Sequence, residues 1–304
     1  MISFLKLIRY KNLLMVLLTM VLTKYALIHS VVNQSIINIF QFTILCGSVL
    51  LITAGGYIIN DIYDIEADKI NKPNKVFIDK TIFNKNAWTT YIILNLTGLL
   101  LGFYISFMNN IEAVIIFIFV SFGLFLYSSF FKRKVLLGNI LVSFFISLCI
   151  FIVFVFENNS SNNSLLKLIL GIFKTIEIIV PLFAYIIFSF LTTLIREIIK
   201  DIEDVNGDLK INAKTLPIVI GRKRASKVAF FFSSILLVFL IVVLKIIAEE
   251  TIFLLYGIVF ILLPLLYFKY RLWISESKKD YSYLSKLMKI IMFLGIISML
   301  LFIF

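Results

Sequence analysis

Long apolar stretches recur along the whole chain and are separated by short polar segments. Each stretch holds about 20 mostly apolar residues, which is the length that one helix needs to cross a bilayer. A bilayer leaves few structures other than helices that satisfy the backbone. We therefore predict an all-α polytopic membrane protein with nine transmembrane helices. The predicted spans lie near Leu13–Ile28, Ile36–Ile59, Ala87–Met108, Ala113–Phe131, Val135–Phe156, Thr175–Ile195, Ala225–Ile247, Thr251–Phe268 and Leu287–Phe304.

Composition supports a membrane protein and excludes a soluble domain. The 304 residues are 61% hydrophobic and only 15% charged, far from the balance of a soluble globular protein. The chain has no long linker, so we predict a single domain over residues 1–304. We expect no cleavable signal peptide, because the first apolar run lacks a small-residue cleavage site.

The positive charges are distributed unevenly between the two ends of the predicted spans. The formal net charge is +12, and the basic residues gather at the N-terminus and after spans two, four, six and eight. All but four of the 29 fall there, the exceptions being Lys24, Lys167, Lys174 and Lys245. The positive-inside rule then predicts a cell (plasma or inner) membrane protein with a cytoplasmic N-terminus and an outside C-terminus. Because this distribution explains the charge, we predict no nucleic-acid partner.

Two acidic runs with the same spacing follow the second and sixth apolar stretches. Both read D-x-x-D-x-x-x-D, and both fall on the predicted cytoplasmic side. Residues at i, i+3 and i+7 share one face of a helix, so each run is expected to present three carboxylates together. Ionisable clusters beside hydrocarbon are functional candidates. The carboxylates are Asp61, Asp64 and Asp68 in the first run, and Asp201, Asp204 and Asp208 in the second.

Carboxylates on one face repel each other, so metal ions, basic neighbours or water must compensate them. The chain has one histidine, His29, and its two cysteines, Cys46 and Cys149, lie inside apolar runs. Any metal must therefore be held by oxygen ligands, which points to Mg²⁺ rather than Zn²⁺. We expect the six aspartates to be shared metal ligands. A diphosphate bridged by such ions becomes a good leaving group, because the metals neutralise charge as it builds.

Basic residues close to the second run would complete a diphosphate site. Arg196 and Lys200 precede it at i, i+4 spacing, and Lys132 follows the fourth span, five residues after Tyr127. Guanidinium and ammonium groups are common ligands of phosphate oxygens. Each residue alone is also explained as a flanking positive charge.

Together these motifs resemble the UbiA superfamily of intramembrane prenyltransferases. The resemblance rests on Asn60-Asp61-x-x-Asp64-x-x-x-Asp68, on Asp201-x-x-Asp204-x-x-x-Asp208, on the nine spans and on Arg9-Tyr10-Lys11-Asn12 entering span one. It implies nine helices around a central cavity with a cytoplasmic cap, and Mg²⁺ ions that bind an isoprenyl diphosphate. A lipophilic acceptor then attacks the allylic cation. The diphosphate ligands implied are Asn60, Lys75, Lys132, Arg196, Lys200 and Tyr127, and the acceptor or cap residues are Asn12 and Arg9.

A finer likeness is to the branch of geranylgeranylglycerol-phosphate geranylgeranyltransferases. It is carried by Arg196–Asp208, Thr215–Gly221, Asp68–Pro73 and Gly138–Asn139. This branch implies transfer of a geranylgeranyl group to a glycerol-phosphate ether in membrane lipid synthesis. One departure is Asn74-Lys75-Val76, where the family often has x-Arg-Pro. Lys75 keeps the charge but loses the bidentate fork of arginine.

Three alternatives remain at this point. An aromatic-acceptor prenyltransferase, acting on a quinone precursor or haem, shares the same metal site, and an intramembrane terpene cyclase would use no acceptor. A transporter or cation channel would need acidic residues along the depth of several spans, and the middle of the spans is nearly free of them. The expected partners are isoprenyl diphosphate, a lipophilic acceptor and membrane lipid, and we infer no obligatory protein partner.

Overall fold

The computed structural model describes residues 2–30, 36–73, 76–79, 82–157 and 176–303. Over these ranges the chain is almost entirely helical, and the only β-type pairing is an isolated bridge between Ile78 and Ile82. Within the same ranges, nine helices are long and apolar enough to cross a membrane. The prediction of an all-α protein with nine spans is therefore confirmed. The spans are Tyr10–Ile28, Ile39–Tyr63, Asn84–Asn109, Ile111–Ser129, Leu137–Glu157, Ile179–Lys210, Arg222–Ile246, Thr251–Trp273 and Lys278–Ile303.

The α-helices are numbered here in chain order. Two short π-helical turns, Thr23–Ile28 and Gly257–Leu262, continue the helices that precede them. The helices are α1 (Ile2–Leu7), α2 (Tyr10–Leu22), α3 (Ile39–Tyr63), α4 (Ile65–Asn71), α5 (Asn84–Asn109), α6 (Val114–Ser129), α7 (Leu137–Glu157), α8 (Ile176–Lys210), α9 (Leu216–Ile220), α10 (Arg222–Ile246), α11 (Thr251–Tyr256), α12 (Leu263–Trp273) and α13 (Lys278–Ile297).

Several spans are longer than the apolar pattern predicts. The helix α8 continues well past Ile195 to Lys210, and α13 begins at Lys278 rather than near Leu287. A run of apolar residues marks only the part of a helix that lies in hydrocarbon. A polar extension of the same helix keeps the backbone hydrogen bonds but lacks the apolar pattern. The start of α13 is fixed by a capping box, in which Ser277 and Asp280 satisfy each other's backbone N–H groups.

The chain divides into two compact units. The first is made of Met1–Phe131 and Leu148–Leu182, and the second of Lys132–Ser147 and Phe183–Phe304.

In the first unit, α3 packs closely along α5. The Ser48 hydroxyl of α3 donates to the Gly98 carbonyl of α5 at 2.6 Å. A side chain at Gly98 would collide with Ile52, and one at Gly55 would collide with the amide of Asn95. Small residues thus allow the two backbones to approach each other, as is usual between membrane helices.

In the second unit, α8 is strongly two-sided. Its apolar residues Leu194, Ile195, Ile198 and Ile202 are buried in a cluster with side chains of α10, α12 and α13. At 3.6 residues per turn, these positions lie on the side of the helix next to the stripe that carries the second acidic run. Burial of the apolar side of α8 therefore fixes which way the acidic stripe faces.

A buried ion pair ties three segments of the first unit. Lys24, in the first π-turn, lies 2.6 Å from Glu157 at the end of α7, and both side chains are 1% exposed. The Lys24 ammonium also donates to the carbonyl of Ile37, and the Glu157 carboxylate accepts from the N–H of Ile36. The ring of Phe42 covers the ammonium at 4.8 Å. Every charge and polar group in this cluster therefore has a partner, as a low-dielectric site requires.

We expect the Lys24–Glu157 pair to be strongly coupled in stability. Lys24→Met or Glu157→Gln alone leaves one buried charge uncompensated, at a cost of about 3–5 kcal/mol. The double variant removes both charges and should be more stable than either single variant. Thermal unfolding in detergent measures this double-mutant cycle. The exposed pair Glu66–Lys69 is the control, with an expected coupling below about 1 kcal/mol. A loss of stability in the double variant equal to the sum of the two single losses would contradict the expectation.

Candidate functional site

The helix of the first acidic run is interrupted at its central aspartate. The helix α3 ends at Tyr63, Asp64 has φ −99° and ψ 1°, and α4 begins at Ile65. The expectation of one unbroken helix through this run is therefore wrong. Backbone hydrogen bonds from the Asp64 N–H to Asn60 and from the Asp68 N–H to Asp64 still span this residue. The regular helix is thus interrupted at Asp64, although these two helical hydrogen bonds are kept.

Asn60 orients the central aspartate of this run. Its side-chain amide donates to Oδ2 of Asp64 at 2.8 Å, and both residues are buried. The hydrogen bond fixes the carboxylate in one rotamer and satisfies one of its oxygens. We predicted Asn60 as a diphosphate ligand, and that role stays a prediction. In the structure its side-chain amide contacts Asp64.

Arg9 holds the first aspartate of the run. It lies between α1 and α2 with a left-handed backbone (φ 51°), and its guanidinium donates to Asp61 at 2.5 Å while covering the ring of Tyr57. Burial lowers the pKa of Arg9, but the adjacent Asp61 carboxylate outweighs this effect, so the pKa lies above its ordinary value. The guanidinium therefore stays charged. Asn12, predicted beside it, lies in the first turn of α2 and its N–H donates to the Arg9 carbonyl.

The second acidic run is straight. Asp201, Asp204 and Asp208 lie within the single helix α8, as predicted. The amide of Asn139, from α7, donates to Oδ2 of Asp201 at 2.8 Å. The hydroxyl of Thr215 lies 3.4 Å from Oδ2 of Asp208. Each acidic run therefore has an asparagine that orients one of its carboxylates.

A buried glutamate lies among the predicted diphosphate ligands. Glu197 accepts from Arg196 Nη1 at 3.0 Å, and both of its oxygens accept from Lys200 Nζ, at 2.9 and 2.8 Å. Lys132 is also close enough to act on this carboxylate electrostatically. The structure thus groups the three basic residues that we predicted in this part of the chain. Sequence reasoning missed Glu197, although its i, i+3 spacing to Lys200 was a visible signal.

The remaining predicted residues are distributed as follows. Asp68 lies on α4 and Tyr127 on α6, both partly buried, and Lys75 lies outside the described residues. Sequence reasoning assigned no role to Asn139. It also missed Thr193, whose buried hydroxyl has no hydrogen-bond partner among the described residues.

The aspartates do not by themselves form a closed metal cage. Among the described residues, no group of three or more His, Cys, Asp or Glu side chains lies close enough together to hold a metal ion. Mg²⁺ does not need such a cage, because it commonly takes one or two carboxylates and completes its octahedron with water and substrate phosphates. The oxygen-only side chains of the two runs fit this mode of binding. The assignment of the six aspartates as metal ligands stays a prediction.

These features define a multi-span helical membrane protein with oriented carboxylates at the ends of two spans and a basic cluster beside one of them. A model of the UbiA prenyltransferase family matches residues 13–297. The chain belongs to this family, and it is a prenyltransferase by family membership.

Curated relatives match over most of their length. The chain is 32% identical to the digeranylgeranylglyceryl phosphate synthase of Methanosphaera stadtmanae, over 85% of this chain and 87% of the relative. It is 30% identical to the enzyme of the same name from Methanococcoides burtonii, over 91% of this chain and 90% of the relative.

Solved structures share the fold. A structure described as giving insight into digeranylgeranylglyceryl phosphate synthase in membranes has a TM-score of 0.68 and 25% identity, covering 98% of this chain and 96% of that chain. A UbiA homologue from Archaeoglobus fulgidus bound to DMAPP and Mg²⁺ has a TM-score of 0.63 and 15% identity, covering 98% and 99%.

We expect Asn139→Ala to impair prenyl transfer, because Asp201 would lose the donor that orients it. Loss of a group that orients a metal-ligating side chain typically costs 10–100-fold in metal affinity or activity. The measurement is turnover as a function of Mg²⁺ concentration. Asn95→Ala is the matched control, since Asn95 is also a buried helical asparagine, paired with Ser121 on α6. Equal losses in both variants would show that only packing is affected.

Proposed function

We propose that the protein transfers a geranylgeranyl group from its diphosphate to the free hydroxyl of geranylgeranylglyceryl phosphate, in a Mg²⁺-dependent reaction. The bond between C1 of the prenyl chain and the diphosphate oxygen breaks, and diphosphate leaves with the electron pair. A new ether bond forms between C1 and the acceptor oxygen, and the hydroxyl proton is released. The observation that carries the proposal is the near full-length similarity to several archaeal digeranylgeranylglyceryl phosphate synthases.

The six aspartates are the proposed Mg²⁺ ligands. Their side chains offer only oxygen atoms, and a solved homologue with the same fold is bound to DMAPP and Mg²⁺. When bound, the metal supplies neutralising charge to the departing diphosphate. The residues of the chain prepare this step: Asn60 and Asn139 orient two of the carboxylates.

The basic cluster is the proposed diphosphate site. Arg196 and Lys200 lie on α8 within about one and a half turns of the second acidic run. Both contact the carboxylate of Glu197, and Lys132 interacts with that carboxylate electrostatically. Their positive charges are matched to a substrate that carries negative charge on several oxygens. Lys75, Tyr127 and Asn60 are further proposed ligands.

We infer that residues 1–304 form a single prenyltransferase domain, with a central cavity for the apolar prenyl chain and a cap that includes Arg9 and Asn12. The distribution of Lys and Arg supports a cytoplasmic N-terminus, a C-terminus outside, and both acidic runs on the cytoplasmic side of a cell membrane.

The metal assignment predicts that Asp64→Ala or Asp204→Ala abolishes transfer. Each change removes a carboxylate that stabilises charge as the diphosphate departs, and a loss on the order of 10²-fold or more in kcat is expected. Diphosphate release from geranylgeranyl diphosphate by purified protein measures it, with EDTA as the metal-free reference.

Glu203→Ala is the control for this experiment. Glu203 is an acidic residue of the same run, but its position on α8 lies away from the face shared by the three aspartates. It should keep turnover near the unmodified level. Full activity in both aspartate variants would reject the metal assignment.

The acceptor assignment is tested with a panel of acceptors. Geranylgeranylglyceryl phosphate should give a product with two ether-linked chains, at a kcat/KM at least tenfold above that of a quinone precursor or haem, since a pocket that pairs a buried phosphate rejects molecules without one. A preference for an aromatic acceptor would support the quinone or haem alternative. Diphosphate release with a cyclic hydrocarbon and no prenylated acceptor would identify a terpene cyclase.

A further inference from the structure

The basic residues assigned to the diphosphate are already engaged by an acidic one. Glu197 has a side chain only 12% exposed, and it binds Arg196 and Lys200 with both carboxylate oxygens. It is not one of the six aspartates, and the proposed reaction leaves it without a role. A carboxylate in this position would repel a diphosphate that came to bind the same two cations.

The charge balance of the cluster explains why a carboxylate is present. Arg196, Lys200 and the nearby Lys132 carry three positive charges, and Glu197 carries one negative charge. Positive charges grouped at the end of a membrane span are costly without a counter-ion. Glu197 supplies that counter-ion when no substrate is bound, and it leaves an excess of positive charge that a diphosphate can neutralise.

Two buried polar atoms next to Glu197 have no hydrogen-bond partner among the described residues. One is Nε of Arg196, so the guanidinium uses only part of its donor fork on Glu197. The other is the hydroxyl of Thr193, which is 1% exposed and lies four residues before Glu197 on the same face of α8. The Arg196 guanidinium thus keeps one N–H group for a further oxygen atom. The Thr193 hydroxyl can donate to the Glu197 carboxylate when that side chain turns towards the N-terminal end of α8.

From this arrangement we propose that Glu197 is an exchangeable counter-ion of the diphosphate site. It holds Arg196 and Lys200 in place before substrate arrives, gives them up to the incoming diphosphate, and turns towards the Thr193 hydroxyl. When diphosphate leaves, Glu197 takes the two cations back and so promotes product release. This inference rests on the proposed function. Glu197 is a positioning residue that acts through Arg196 and Lys200.

The test is the affinity for inorganic diphosphate in the presence of Mg²⁺, measured by product inhibition and by the rise in Tm on binding. Glu197→Gln keeps the shape of the side chain and removes the competing charge. We expect diphosphate to bind on the order of tenfold more tightly, because Arg196 and Lys200 no longer have to give up a charged partner. The KM for prenyl diphosphate and kcat should both fall, because the product leaves more slowly. Unchanged or weaker diphosphate binding would overturn the proposal.

The thermal measurement separates this role from a merely structural one. An exchangeable counter-ion predicts that Glu197→Gln lowers the Tm of the ligand-free protein and enlarges the rise in Tm caused by Mg²⁺ and diphosphate. A structural role predicts the same loss of Tm with and without ligand, which would overturn the proposal. Glu66→Gln is the matched control, because it removes one glutamate from another i, i+3 pair with lysine. It should leave diphosphate affinity unchanged.

A second variant covers the case in which Glu197→Gln does not fold. Glu197→Asp keeps the charge but shortens the side chain, so its contacts with the two cations weaken and diphosphate affinity should rise by a smaller factor. Affinity equal to or below that of the unmodified protein would again overturn the proposal. If the unmodified protein does not bind diphosphate in the presence of Mg²⁺, the proposed function itself fails. If the unmodified protein binds diphosphate and the Glu197 variants bind it with unchanged affinity, only the proposal about Glu197 fails.

Discussion

The cost of an uncompensated charge near hydrocarbon shapes the polar part of this protein. Each of the charged clusters described above contains both signs. Lys24 meets Glu157 in the interior of the first unit, Arg9 meets Asp61 at the start of the first acidic run, and Arg196 and Lys200 meet Glu197 before the second. In water such pairs contribute little, but in a low-dielectric environment the absence of either partner is expensive. Each of these ion pairs therefore removes an uncompensated charge from the part of the protein in which it lies.

The same constraint connects packing to chemistry along α8. One side of the helix is buried among apolar side chains of its own unit, and this burial gives the helix a single rotational setting. The adjacent stripe carries Glu197 and the second acidic run, so apolar packing beside these carboxylates directs them. Asn139 then fixes the rotamer of Asp201. Apolar contacts set the orientation of the helix, and hydrogen bonds set the orientation of the individual carboxylate.

The sequence predicts the helices well because hydrocarbon thickness imposes a length that an apolar run must reach. It underestimates their ends, since Lys278 and the residues up to Lys210 are helical but polar. The spacing of the aspartates identifies the carboxylates as a set. It does not reveal their partners, because Arg9 and Asp61 lie 52 positions apart and Asn139 and Asp201 lie 62 apart. Contacts at such separations depend on how helices pack, and no local pattern reports them.

The interruption at Asp64 means that two runs with identical spacing are built on different backbones. Asp201, Asp204 and Asp208 belong to one continuous helix, so a single axis sets the positions of all three carboxylates. Asp68 instead lies on the separate seven-residue helix α4, whereas Asp61 lies on the long helix before it. Equal spacing along a chain therefore does not guarantee equal placement of the carboxylates in space.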